Sequence, residues 1–147
     1  VQDKICNIAV QYVSHAYATA HVRPYDNKHP LAQAIEVELN VEPLADEGHF
    51  RLQLDVRVTG TNSENMVCFE TGVSIEGIVV EKNLTDEERA QMLNKNMPGL
   101  LLGTARSVIT TLSLQTGYGP IILPPLSGDQ LFAMAQKSQI SSEEAAE

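Results

Sequence analysis

Histidine, cysteine, hydroxyl and carboxylate side chains build most catalytic and metal sites, and in this 147-residue chain their spacing builds none. The four histidines, His15, His21, His29 and His49, form no HxH or HExxH pattern and have no acid at ligand spacing, so no zinc is expected. Cys6 and Cys68 lie far apart without a CxxC pair and read as reduced, buried thiols. Ser107, Thr110 and Thr111 fall in an apolar helical stretch, where hydroxyls usually bond the carbonyl one turn back. Gly117-Tyr118-Gly119 precedes Pro120 and reads as a helix cap and turn rather than a phosphate cradle. The chemistry expected is therefore non-enzymatic, without cofactor or metal. Only a closed polar pocket of converging titratable groups would argue for an unrecognised ligand site.

What stands out instead is an absence of charge. The chain has 10 Lys and Arg and 19 Asp and Glu, yet between Met97 and Gly128 only Arg106 is charged. The stretch opens as a helix with apolar residues at Leu101, Leu102, Ala105, Val108, Ile109 and Leu112, the spacing of a buried stripe. It breaks at Gly117 and Gly119-Pro120, then runs through the apolar, proline-containing loop 121–126 before a short last helix. Such a segment is too short and too interrupted to span a bilayer. Its surface has to be covered by the rest of the fold, by another subunit or by a client. Arg106 reads as a snorkelling side chain or a carboxylate partner across a subunit contact.

The elements that hold this segment are strands first and helices afterwards. Residues 5–22 are β-branched and aromatic with patchy alternation, which predicts a long strand with a bulge or bend. After the turn-rich, two-proline stretch 23–30, residues 34–42 alternate with Ile35, Val37, Leu39 and Val41 on one face and Glu36, Glu38 and Glu42 on the other. Residues 50–59 alternate in the same way, so Arg51 and Arg57 would suit cross-strand pairing with those acids if the register aligns them. A fourth strand is predicted over 66–80, interrupted at Gly72 and Gly77. Thr85 followed by Asp86, Glu87 and Glu88 is a capping box opening a helix to about Asn96, which Pro98 should stop. Further helices are expected over about 98–116 and 128–138. The expected class is α+β: a four-stranded antiparallel meander with helices on one side.

Composition bounds the rest. One domain over 1–138 with an acidic, disordered tail over 139–147 is expected. With 43% hydrophobic residues the chain has enough for a core, but no run long enough for a membrane span. The segment VQDKICNIAVQ has no basic block leading an apolar one, so no signal peptide is expected, which with the reduced cysteines points to the cytoplasm. A net charge of −9 and a pI near 4.8 argue against nucleic acid and anionic membranes. Basic, apolar, unfolded partners would suit that charge.

Within residues 97–132, Pro98, Leu101, Ala105-Arg106, Ile109-Thr110, Leu123, Pro125, Asp129 and Leu131-Phe132 occur in an order and spacing that resembles, without a gap, the C-terminal half of the SecB protein-export chaperones. The first two-thirds of the chain agree in strand layout but in few identities. The resemblance implies a holdase that keeps unfolded preproteins competent for translocation, and a homotetramer in which protomers pair through their sheets and dimers stack through the long helix. Carried onto this chain, it implies that Ile35, Val37, Leu39, Ile121, Leu123, Leu126, Leu131, Phe132 and Met134 bind client, with ordinary core as the competing role at each. It puts Leu101, Ala105, Arg106, Val108 and Leu112 at the oligomer interface. The family docks on the SecA motor through acids that include two on the first strand, where this chain has His15 and Thr19. Glu70 and Glu76, or Glu143, Glu144 and Glu147, would have to supply the acid instead. That departure leaves open a SecB-like protein dedicated to one partner, such as an antitoxin, without SecA coupling.

Overall fold

A computed structural model describes residues 3–146, with side chains described for residues 3–139. Strands β1 (Ile5–Ala20), β2 (Leu31–Pro43), β3 (His49–Asn62) and β4 (Val67–Lys82) precede helices α1 (Asp86–Gln91), α2 (Met97–Ser113) and α3 (Gly128–Ala146). The strands form one antiparallel sheet and the helices pack on one of its faces, with α2 lying chiefly on β4 and α3 on β2.

The strand order corrects the meander in one respect. It is β1-β4-β3-β2, so only β2, β3 and β4 are joined as hairpins, and β1 lies beside β4, a Greek key. The cause is the long, proline-bearing connection after β1. His21 and Val22 both donate their N–H groups to the Cys68 carbonyl at 2.8 and 3.1 Å, tying the end of β1 to β4. The chain then passes the β3–β4 turn, where Asn62 meets Asn27, and starts β2 opposite the end of β3. Two register shifts, between Ile8 and Val10 and between Val13 and His15, bend β1 as its patchy alternation predicts.

The core is the helix-facing side of the sheet. Leu52, Leu54, Val56 and Val58 of β3 and Phe69, Val73, Ile75 and Val79 of β4 meet Leu101, Leu102, Ala105 and Ile109 of α2. Two glycines make room for neighbours here: a Cβ on Gly60 would stand 2.1 Å from the Phe69 ring, and one on Gly77 would stand 3.2 Å from Leu101.

Two helix boundaries differ from those expected. Pro98 does not stop the preceding helix; α1 runs on through a π-helical turn, Met92–Asn96, into α2. The N–H of Met97 reaches back to the Met92 carbonyl, and this widened turn relieves the clash that a proline ring makes with the carbonyl four residues earlier. The capping box itself is present, with the Thr85 and Glu88 side chains each accepting the other's backbone N–H, and Lys4 held by Glu88 at 2.9 Å. At the other end, α3 continues past 138 to Ala146, across the stretch expected as a disordered tail. The side chains of Glu143 and Glu144, and all of Glu147, lie outside the described residues. Cys68 is buried but Cys6 only partly so, and burial pushes the Cys6 thiol up, helped by Glu81.

Candidate functional site

The loop after α2 is extended and is stapled to that helix by three polar side chains one helical repeat apart. Arg106 donates from Nε to the Leu123 carbonyl at 3.2 Å, and Thr110 from Oγ1 to the Ile121 carbonyl at 2.8 Å. Ser113 Oγ accepts the Ile121 N–H at 2.7 Å. Positions i, i+4 and i+7 share one face of a helix, so a single stripe holds the whole loop. Ser107 and Thr111 bond carbonyls one turn back as expected, whereas Thr110 serves the loop instead. Gly117, in the left-handed region at φ 80°, ends the helical run, and Tyr118 donates its hydroxyl to the Val22 carbonyl at 2.6 Å.

Stapling gives the loop an inward and an outward side, and this corrects part of the expected groove. Ile121 and Leu123 are 2% and 1% exposed and belong to the core, while Ile122 between them is 72% exposed. Val37 and Leu131 are buried as well. Extended backbone alternates its side chains, so two-residue spacing sends Ile121 and Leu123 under α2 and leaves Ile122 outside. The expected groove residues that remain partly open are Ile35, Leu39, Leu126, Phe132 and Met134. Leu39 and Phe132 join Val41, Asn94 and Ala135 around an open cleft of about 310 Å³ between β2 and α3. The start of α3 is fixed there by Lys95, which pairs with Asp129 at 2.8 Å and stands 5.6 Å from the Phe132 ring centroid.

The expected oligomer face on α2 is also partly corrected. Leu101 and Ala105 are fully enclosed within the single chain, because the sheet covers the apolar stripe itself, with Gly77 leaving room for Leu101. Val108, Leu112 and Arg106 are half-buried. The opposite side of α2 is open. It carries Gly99, Gly103, Ser107 and Thr111 at four-residue spacing, flanked by Leu100, 60% exposed, and Leu114. The edge strand β1 is likewise open and exposes Val10, Tyr12 and Val13.

The outer face of the sheet is a polar lattice in two rows. Glu36 faces Arg57 and Glu42 faces Arg51 in register, and each forms the ion pair the alternation suggested. Each row continues onto β4 and β1. Arg57 reaches Glu70 at 3.5 Å, which accepts the Tyr17 hydroxyl at 2.7 Å; Arg51 reaches Glu76 at 4.0 Å, which accepts the Tyr12 hydroxyl. Burial and then the Glu70 hydrogen bond push the Tyr17 phenol up to about 12. The Glu76 hydrogen bond raises Tyr12, and the Glu36 hydrogen bond raises Arg57. Glu70 and Glu76 are thus engaged within the sheet. Glu70 also lies in register with Thr19, while His15 pairs with Ser74.

Sequence reasoning missed Ile122, Val41, and the glycine side of α2. Period-two alternation applied to the loop would have separated Ile122 from its neighbours. Projecting the helix would have put Gly99, Gly103 and Ser107 opposite Leu101 and Ala105. No group of three or more potential metal ligands occurs among the described residues, and no helix there is long and apolar enough to cross a membrane.

A family model for SecB, described as preprotein translocase subunit SecB, matches residues 2–139. Relatives include the protein-export protein SecB of Magnetococcus marinus, 28% identical over 111 residues, covering 74% of this chain and 71% of that one. The protein-export protein SecB of Psychrobacter cryohalolentis is 31% identical over 110 residues, covering 74% and 72%. Among solved structures, a SecB-like chaperone of Mycobacterium tuberculosis, in complex with a ChAD peptide from an antitoxin, superposes with a TM-score of 0.70. It is 17% identical, covering 83% of this chain and 91% of that one, a likeness of fold.

Proposed function

We propose, from the premise that this chain belongs to the SecB family, that it holds unfolded preproteins by their extended apolar segments in the cleft between β2 and α3. As an export chaperone of that family it is a cytoplasmic protein and not an enzyme. The observation that carries the groove assignment is the set of apolar side chains left open along that seam: Leu39, Val41 and Phe132 line a cleft of about 310 Å³. The cleft is mixed, with the amides of Asn40, Asn94, Gln136 and Gln139 beside its apolar side chains; apolar area with uncharged, adaptable amides suits a binder of many sequences, since it demands no one pattern of partners. One such cleft is weak. Several on one oligomer raise the effective concentration of the second contact and tighten the grip.

The assembly we propose is a dimer of dimers, with β1 edges joining protomers and the open side of α2 joining dimers. Coupling to SecA would use the outer sheet face at Glu70, in register with Thr19, and Glu76. Because both acids are already engaged by Tyr and Arg within the sheet, a chaperone serving a single client without SecA is the second reading. The test is a Val41→Ser variant titrated with a labelled unfolded preprotein. Binding should weaken by about 1–3 kcal/mol, the transfer value of aliphatic side chains, with the melting curve and oligomer mass kept. Unchanged affinity in the folded variant would remove the cleft from the site. Binding of one client among several unrelated unfolded proteins would favour the second reading.

A further inference from the structure

The helical side of the cleft between β2 and α3 carries a row of side-chain amides. Phe132, Ala135, Gln136 and Gln139 follow one another at the i, i+3, i+4, i+7 spacing that places them on one face of α3. Asn94 joins them from the π-helical turn Met92–Asn96. That turn is locked to the start of α3 by the Lys95–Asp129 pair at 2.8 Å and by Gly128, which packs so closely on the Lys95 carbonyl that a Cβ has no room. Asn94, Gln136 and Gln139 make no side-chain hydrogen bond among the described residues, and no Asp, Glu, Lys or Arg lines the cleft. Elsewhere in the chain the same group serves backbone: Asn62 Oδ1 accepts the N–H groups of Glu64 and Met66, and Gln130 Oε1 accepts that of Ser127.

An extended segment laid in this cleft rests apolar side chains on Leu39, Val41 and Phe132, but its peptide groups need partners of their own. A peptide group taken out of water without a hydrogen bond is costly, and an apolar lining offers it nothing. A carboxylate would satisfy only N–H groups and an ammonium only carbonyls. An amide carries donor and acceptor together, so it serves either group, in either chain direction. We infer that Asn94, Gln136 and Gln139 are main-chain readers, which hydrogen-bond the peptide groups of an extended client seated on Leu39, Val41 and Phe132. From Phe132 to Gln139 the helix rises about 10 Å, the length of about three extended residues. The cleft thus selects unpaired, extended backbone rather than a sign of charge. This rests on the client reading of the cleft and adds to it the groups that make binding independent of client sequence. The assembly proposed above joins copies through β1 and α2 and leaves this seam open.

The test uses the intact oligomer and two fluorescent, leucine-rich peptides of one sequence, the second with two central peptide bonds replaced by esters. An ester keeps the side chains and loses the N–H, so the parent chain should bind the ester peptide about tenfold more weakly. Gln136→Met/Gln139→Met, altered only at exposed positions, should bind the amide peptide more weakly than the parent does and close most of that gap. Adding Asn94→Leu should close the rest. Should methionine disturb α3, Gln136→Ala/Gln139→Ala, with the better helix former, carries the same comparison. A gap as wide in the folded double variant as in the parent would give the main chain to the open edge of β2, which pairs only with β3, and overturn the inference. Equal binding of amide and ester peptides by the parent would overturn it as well, while leaving the client reading in place, since both peptides bind. Failure of both peptides to bind would instead count against the client reading.

Discussion

Leu123 illustrates how a single position divides binding from folding. Its neighbours are apolar loop residues and prolines, a composition that suggests an open surface, yet it is 1% exposed beneath α2. The carbonyl that Arg106 holds belongs to this residue, so backbone and side chain are both fixed. Leu123→Ser removes a buried aliphatic group and buries a hydroxyl in its place. It should lower stability by about 3–5 kcal/mol, read as a fall in the urea midpoint. Ile122→Ser, one residue away and in solvent, should shift that midpoint by less than about 0.5 kcal/mol. Equal midpoints for the two variants would place Leu123 outside the core. The difference was not legible from composition, because it comes from three side chains on α2 that only the fold brings to the loop.

Among elements, the sheet was the most legible and the helices less so. Strict alternation in β2 and β3 fixed which side faces the core and paired Glu36 with Arg57 and Glu42 with Arg51. It could not place β1, whose neighbour is decided by a long connection rather than by its own pattern. Pro98 misled for a related reason: a π turn let helix pass where a regular helix would stop. The polar rows across the outer face have a measurable signature in Tyr17. Its phenol is held near 12, against an ordinary value near 10, mainly by burial and by donation to Glu70. A raised acid favours the neutral form in the folded state. Its stabilisation is therefore fully present below about pH 10 and lost as pH rises towards about 12. Tyr17→Phe should flatten the fall in stability over that window, and ultraviolet titration of the wild type should show phenols ionising late, Tyr17 and Tyr12 among them. Ionisation of every tyrosine at its ordinary value would mean that the row does not form.

For the whole molecule, the informative surface is the one that the apolar pattern did not mark. Leu101 and Ala105 turn inward, so the contact between copies proposed for α2 is assigned to the opposite side. There Gly99, Gly103, Ser107 and Thr111 form a narrow ridge of small residues between Leu100 and Leu114. Small side chains let two helices approach towards the short end of the usual 8–10 Å separation, with the flanking leucines closing the contact. The glycines are not needed by the single chain, since a Cβ added at Gly99 or Gly103 meets nothing within 4 Å. This separates assembly from folding. Gly103→Leu should keep or raise the stability of the protomer, because glycine costs an exposed helix about 1 kcal/mol relative to alanine and leucine is a good helix former. In the proposed assembly the same side chain would stand in the middle of the helix contact and force the two dimers apart. Light scattering at micromolar concentration should then report a tetramer for the parent chain and a dimer for Gly103→Leu, with helical signal unchanged. A tetramer that survives the substitution would move the dimer–dimer contact away from α2, and a parent chain that scatters as a monomer would end the tetramer proposal.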